Sequence, residues 1–341
     1  MLHTEISKNY ALKAPIISAG MAFVATPPLA AAVSNAGGMG MLGAAMVPPE
    51  GLKQMIQSTR TLTAKPFGVD FISEFVTDEH IQVCITEKVA VVVFFWSFPK
   101  QIWVERLQAN GIRVWMEVGS ISEANQAREL GVDAIVAQGK ESGGHNKAEA
   151  STFSLLPAIC QTVAPIPVIA AGGIIDGKSL VAALSLGAEA VWCGTRFLTS
   201  LEANAHSEYK TKVLDANVGD TVRTTLFGPE WPGQNMRVIR NRVVKQWAGK
   251  EAEAVKFAST NEIIGSTIMD GQTIPLPKFS TMLPTPETTG DFEEMALTAG
   301  ESSGNITELK PAGEIVKTML NEAKETIQSR LSSLIISEVT V

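Results

Sequence analysis

Residues 134–146 read Ala-Ile-Val-Ala-Gln-Gly-Lys-Glu-Ser-Gly-Gly-His-Asn. The apolar run 134–137 has the character of a buried strand, and it ends in Gln138. Glycines follow at 139, 143 and 144, and then comes His145. Glycine has no Cβ, so backbone there can approach a flat or charged ligand closely. Histidine has its ordinary pKa near neutrality, which suits it to take or give a proton. A base beside a closely held ligand is one reading of this stretch. A glycine loop with a surface histidine is the plainer one.

Glycines recur in similar settings. Gly172-Gly173 follows the run 167–171 and leads through Asp176-Gly177 towards a helix, and Gly194-Thr195-Arg196 ends the run that starts at Ala190. Backbone N–H groups in such loops can cradle a phosphate without a lysine. Singly they are ordinary turns. Together they favour a phosphate-bearing cofactor.

The elements that carry these loops alternate regularly. Strands are expected at 16–19, 39–45, 66–72, 89–96, 113–118, 134–138, 167–171 and 190–195. Helices are expected between them, starting from Pro27-Pro28, Pro48-Pro49, Asp78, Lys100, Ser120 (with Ser122 as N-cap), Thr152 and Gly177, and a last one over 202–216. Prolines suit the first helical turn and glycines the stop. Eight strand–helix pairs within residues 1–216 have the period of an α/β, (β/α)8 TIM barrel. Beyond 216 the pattern breaks. A strand over 221–227, a rigid turn at Pro229, Trp231 and Pro232, and a basic amphipathic helix over 236–249 are expected. After them come a proline-rich loop stretch around 275–290, a short helix over 292–300 and a final helix over 311–334. The expected organisation is a barrel, 1–216, a lid or substrate segment, 217–310, and a C-terminal helix within 311–341 that packs back on the barrel.

Composition narrows the function. Of 341 residues 45% are apolar, enough for a large core, and the net charge of −7 argues against a nucleic-acid partner. Cys84, Cys160 and Cys193 are few and scattered, which fits a reducing compartment and neither a disulfide scaffold nor a metal site. Residues 1–13 lack the apolar stretch of a signal peptide, and the run 89–96 is too short to span a bilayer, so a cytoplasmic protein without membrane contact is expected.

Barrel enzymes place their sites at the C-terminal strand ends. Here those ends bring together Gly20-Met21, Asp70, Glu117, Gln138 with Gly143-Gly144-His145, Gly172-Gly173 and Gly194-Thr195. Several runs, taken in order, resemble the nitronate monooxygenase (2-nitropropane dioxygenase) family. They are Pro15-Ile16-Ile17 with Gly20-Met21, residues 29–38, Pro66-Phe67-Gly68-Val69, Ala137-Gln138-Gly139, Gly143-Gly144-His145, residues 167–174 and Gly194-Thr195-Arg196-Phe197. FMN-dependent enoyl-acyl-carrier-protein reductases are similar in the same motifs.

The resemblance implies FMN. It implies that Gly20 and Met21 pass beside the ring system, that Asp70, Gln138, Gly143 and Gly144 contact the flavin, and that Gly172, Gly173, Gly194 and Thr195 hold its phosphate. His145 is then the catalytic base, taking the proton α to a nitro group. The implied substrates are a nitronate or nitroalkane and O2, the products a carbonyl compound and nitrite, and a homo-oligomer is compatible. Where the family has Asn this chain has Asp70, which if ionised only accepts hydrogen bonds and brings negative charge to the ring. Glu117 would in the same way repel an anionic substrate. Two other functions fit the sequence: an NAD(P)H-dependent FMN reductase acting on an enoyl thioester or quinone, and a flavin-binding protein without efficient turnover. Simpler roles suffice elsewhere. His3, His80 and His206 suit surface or capping positions, and Trp192 and Cys193 suit core. Arg196 suits either a phosphate or a carboxylate.

Overall fold

In the computed structural model, which describes residues 1–228, 231, 233–257, 260, 262–269 and 271–335, eight parallel strands form one sheet. They are β1 (Ile16–Ser18), β2 (Gly40–Gly43), β3 (Phe67–Ile72), β4 (Val91–Phe95), β5 (Arg113–Val118), β6 (Ala134–Gln138), β7 (Val168–Ala171) and β8 (Ala190–Cys193). Neighbours in sequence are neighbours in space from β2 round to β8, and β8 pairs with β1. The ring closes between β1 and β2. A parallel bridge joins Ile17 to Met39, and the Ser18 N–H donates to the Met39 carbonyl at 3.0 Å. The sheet is therefore a barrel.

Alternation along the strands divides the core in two. One set of side chains, with Ile17, Met41, Val93, Trp115, Val136, Ile169 and Trp192 among them, fills the barrel interior. The other set, including Val69, Phe94, Met116, Ile135 and Ala170, packs outward under the helices. Trp115 is fully buried, with Tyr10 edge-on to it at 5.5 Å, so the chain preceding β1 plugs the N-terminal end of the barrel. The interior is side chains, not a pore, and space opens only above this layer.

Helices follow the strands as the punctuation in the sequence dictates. Pro27–Asn35 and Pro49–Leu62 begin at prolines. The helix Ile121–Leu130 is capped by Ser120, which accepts from the Glu123 N–H, rather than by Ser122, and it stops at Gly131 with φ 77°. Asp176 caps Gly177–Ser185, accepting from the Ser179 N–H at 2.7 Å. The expected helix over 202–216 is shorter, Ser207–Asp215, with His206 as its cap; a separate short helix, Thr195–Leu198, follows β8 directly.

The segment after the barrel differs most from the sequence reading. A strand, β9 (Thr221–Thr224), pairs antiparallel with β10 (Met236–Ile239). The expected basic helix over 236–249 is thus a buried strand followed by the short helix Arg242–Trp247. Arg237 could be mistaken for a solvated face. It is in fact buried, because its guanidinium has carbonyl and carboxylate partners. The proline-rich stretch contains a hairpin, β11 (Ile263–Met269) with β12 (Gln272–Pro277). Pro275 and Pro277 are tolerated there because β12 is an edge strand. The short helix over 292–300 is a single 3-10 turn, Phe292–Glu294. The last helix is regular over Ala312–Glu325, and it packs on Gly177–Ser185 and Pro27–Asn35. Pro229 and Pro232 of the expected turn lie outside the described residues. No helix among the described residues is long and apolar enough to cross a membrane.

Trp115 carries the barrel's central layer, so Trp115→Ala is expected to lower stability by about 3–5 kcal/mol. Urea unfolding followed by circular dichroism measures this. A loss under about 1 kcal/mol would mean that the interior repacks around the cavity.

Candidate functional site

The loop that leaves β6 is the most heavily fastened part of the barrel mouth. Gly144–His145 forms a two-residue strand against β10, in the register Met236↔His145 and Arg237↔Gly144. Gln138 Nε2 donates to the His145 carbonyl at 3.2 Å. Asn146 is fully buried; its Nδ2 donates to the carbonyls of Gly139 (3.0 Å) and Ser142 (3.2 Å), and its Oδ1 accepts from the Ala148 N–H (2.8 Å). Arg237 donates from Nε and Nη2 to the Lys140 carbonyl and pairs with Glu301 at 2.9 Å. The glycine loop is thus held from both sides.

The glycines are needed for closeness. A Cβ on Gly139 would come within 2.0 Å of Thr152 Oγ1, and one on Gly143 within 2.6 Å of the Ala299 and Gly300 backbone. Gly144 and Gly173 have φ of 73° and 77°, with open space where a Cβ would project. Side chains there would be strained and would point into that space.

Above the Trp115 layer lies a cleft of about 190 Å³. Gly20, Met21, Asp70, Gln138, Gly143, Gly144, His145, Gly172, Gly173, Gly194 and Thr195 all line it. The strands thus bring every candidate to one mouth. Glu141, Ser142, Ile72 and Phe95 also line it, as do Met236, Leu283, Thr298 and Gly300 from the segment after the barrel. Chain-order reading could not find these last four, since nothing local in sequence ties 236–300 to the barrel top. Trp192 lies both in the interior layer and on the cleft floor. Arg196 is elsewhere. It donates to Thr199 Oγ1 and the Glu308 carbonyl and borders a separate cavity of about 200 Å³ with Asp176, Lys310 and Glu322.

The electrostatics oppose a negatively charged floor. Asp70 is 9% exposed, and burial and then the Coulombic effect of Glu117 push its carboxyl well above the usual range. The Gly20 backbone N–H bonds to it and opposes the shift only in part. Glu117, 4% exposed, is pushed by burial up to about 8, against the pull of Lys147 and a hydrogen bond with the Gln138 side chain. Burial opposes ionisation of both carboxyls, and a charge on Glu117 opposes one on Asp70 further. Both effects favour the protonated form of Asp70, in which the carboxyl can donate as well as accept, as an asparagine would. Its Oδ1 has no partner, and neither has Ser142 Oγ. Buried polar atoms without partners are uncommon, and of the five among the described residues these two belong to residues that line the cleft.

His145 is a neutral base. Burial lowers its pKa to about 4. Its ring contacts are aromatic: Trp96 at 5.5 Å and Trp231 at 5.1 Å, centroid to centroid. The other histidines have the simpler roles. His80 Nδ1 accepts from the Thr77 N–H in a capping box, and His206 Nδ1 accepts from the Glu208 N–H. Among the described residues no cluster of three or more His, Cys, Asp or Glu is gathered for a metal.

Comparison with known proteins agrees with this architecture. The chain is 30% identical over 369 residues to a probable nitronate monooxygenase of Staphylococcus aureus (strain NCTC 8325 / PS 47), covering 95% of this chain and 98% of the relative. Among solved structures it is similar to FabK from Thermotoga maritima, with a TM-score of 0.81 and 35% identity over 98% of this chain and 100% of that one. It is also similar to the nitroalkane oxidase from Streptomyces ansochromogenes, with a TM-score of 0.77 and 26% identity over 97% and 99%. The family model for nitronate monooxygenase matches residues 3–74 and 71–322. With nearly its whole length matched, this chain belongs to the nitronate monooxygenase family of oxidoreductases.

Proposed function

We propose that the protein is an FMN-dependent nitronate monooxygenase, converting alkyl nitronates, and nitroalkanes less readily, with O2 to carbonyl compounds and nitrite. The observation that carries this reading is the neutral, buried imidazole of His145 on the same cleft as the unpartnered Asp70 Oδ1 and the glycine loops.

The residues present fit FMN. A flat ring system would run past Gly20 and Met21, with Asp70, Gln138 and Gly143 meeting its polar edge and Gly144 leaving room above it. Asp70, which burial pushes towards its protonated form, would in that form supply both a donor and an acceptor to an edge that carries N–H and carbonyl groups. Gly172, Gly173, Gly194 and Thr195, with the free Ser142 hydroxyl, would take the phosphate. When bound, FMN would supply the one-electron chemistry with the nitronate and dioxygen.

His145 would remove the α proton of a nitroalkane. With its pKa at about 4 it is free to accept over the whole neutral range, yet it is a weak acceptor. A nitronate has already lost that proton, so this site favours the nitronate. Asp70 and Glu117 support the choice: both are pushed towards their protonated forms, which lessens the negative charge that would repel an anion. Ile72, Phe95, Met236 and Leu283 give the cleft an apolar side for the alkyl group. The same apolar side would accept an acyl chain. That favours, as the second reading, NAD(P)H-dependent reduction of an enoyl thioester or a quinone.

Three outcomes are expected. His145→Ala should cut kcat/KM for a nitroalkane by about 10²-fold, the low end for loss of a general base, while the matching nitronate loses under about tenfold. Oxygen uptake and nitrite release measure both, and equal losses would make His145 a positioning group. For the parent, kcat/KM on the nitroalkane should fall as pH drops through about 4, where His145 becomes charged. An acid limb near 6.5 would mean that the ring is solvated. Glu117 binds its proton more tightly folded than unfolded. The stability this gives is complete below about 4.5 and lost as pH rises through about 8. In the cofactor-free protein the Tm gain from Glu117→Gln should therefore grow across that window. A constant difference would show that Glu117 ionises as it does in water.

A further inference from the structure

Histidines that act as bases are usually oriented by a hydrogen bond to the second ring nitrogen. Among the described residues no hydrogen bond is made to the His145 ring. Its surroundings are aromatic instead. Trp231 is tilted against it at 42°, and Trp96 meets it edge-on at 77°. The two indoles touch each other at 5.0 Å. Phe95 backs Trp96 at 5.4 Å, and Phe75 backs Trp231 at 6.2 Å.

The backbone gives a second, independent sign. Trp96 has φ 82°, a conformation that a bulky side chain rarely adopts. Such outliers persist only when the surroundings over-determine them, and they gather at functional sites. Here the Lys147 ammonium donates to the Trp96 carbonyl, lies 5.1 Å from its ring centre and pairs with Glu123 at 2.5 Å. Lys147 is two residues beyond His145, so the loop that carries the base also holds the unusual turn beside it.

We propose that Trp96 and Trp231 are positioning residues that together take the place of the missing hydrogen-bond partner. In contact with each other, they form one aromatic wall that the His145 ring packs against, which fixes the ring and keeps water from that side. One indole comes from the end of β4 and the other from the segment after the barrel, so the base depends on both. The two rings have opposite tendencies. An indole face attracts a cation, whereas exclusion of water disfavours one. Burial is the cause that dominates at His145. The titratable and charged groups around it are Asp70, Glu117 and Glu141 on the cleft, Lys147 behind Trp96, and Arg237 in register beside Gly144. This inference rests on His145 being the base of the proposed reaction.

The test uses the full-length protein and NMR titration of the histidine ring protons. The chain has 4 histidines, so His145→Ala identifies the signal by its loss. In Trp231→Ala the His145 midpoint should rise by about one pH unit or more towards the ordinary value. The acid limb of kcat/KM for a nitroalkane should move up with it, and Trp231→Phe should restore both. Trp96→Phe, which keeps a ring at the strained position, should move the midpoint less than Trp231→Ala. An unchanged midpoint in a folded Trp231→Ala protein would overturn the clamp. If instead the midpoint moves but His145→Ala keeps its nitroalkane turnover, the clamp stands and the base assignment fails.

Discussion

The antiparallel pairing of Gly144–His145 with Met236 and Arg237 is the contact on which the mouth of this barrel depends. It does three things at once. It fixes the backbone of the one histidine on the cleft, it seats β10 so that Met236 closes one wall, and it brings Arg237 to the Lys140 carbonyl. A two-residue ladder is a weak structure alone. It holds because Asn146, Arg223 and Arg237 satisfy the loop's carbonyls from beneath and from the side. The arginine bonds reach across 75 to 97 residues of chain, so the site exists only when the barrel and the following segment are folded together.

Burial then sets the chemistry. Three groups that would be charged in water near neutrality or just below it are pushed towards their neutral forms: His145 without its proton, Asp70 and Glu117 with theirs. The direction is the same in each case because the same cause, loss of water, acts on all three. A dry cleft with a neutral floor can accept an anion and a flat, polar-edged ligand together. It is poor at stabilising new charge on the protein, which is the physical ground for proposing a substrate that has already lost its proton.

Much of this was legible in the chain. The eight-fold strand–helix period follows from apolar runs and from Pro and Gly punctuation, and parallel strands buried on both faces leave that pattern strongly. The convergence of the strand ends follows from closure, so Gly20, Asp70, Gln138, Gly172 and Gly194 were found without any long-range information. What was missed depends on partners far away in sequence. Arg237 reads as a solvated helix residue until Lys140, 97 positions earlier, supplies its acceptor. Pro275 and Pro277 hide a strand because edge position cannot be read locally. The raised pKa of Asp70 comes first from burial and then from Glu117, two strands away, and neither is visible locally. The aromatic partners of His145 lie 49 residues before it and 86 after it, so no local motif contains them.

The central claim is that the cleft holds a flavin which takes its electrons from a nitronate. Anaerobic rapid mixing of the FMN-loaded protein with an alkyl nitronate, and separately with NADH and NADPH, tests it most directly. Loss of the oxidised flavin absorbance with the nitronate, and little change with either nicotinamide, is the expected result. Rapid bleaching by NADH or NADPH with no response to the nitronate would contradict it and would make the protein a nicotinamide-dependent reductase.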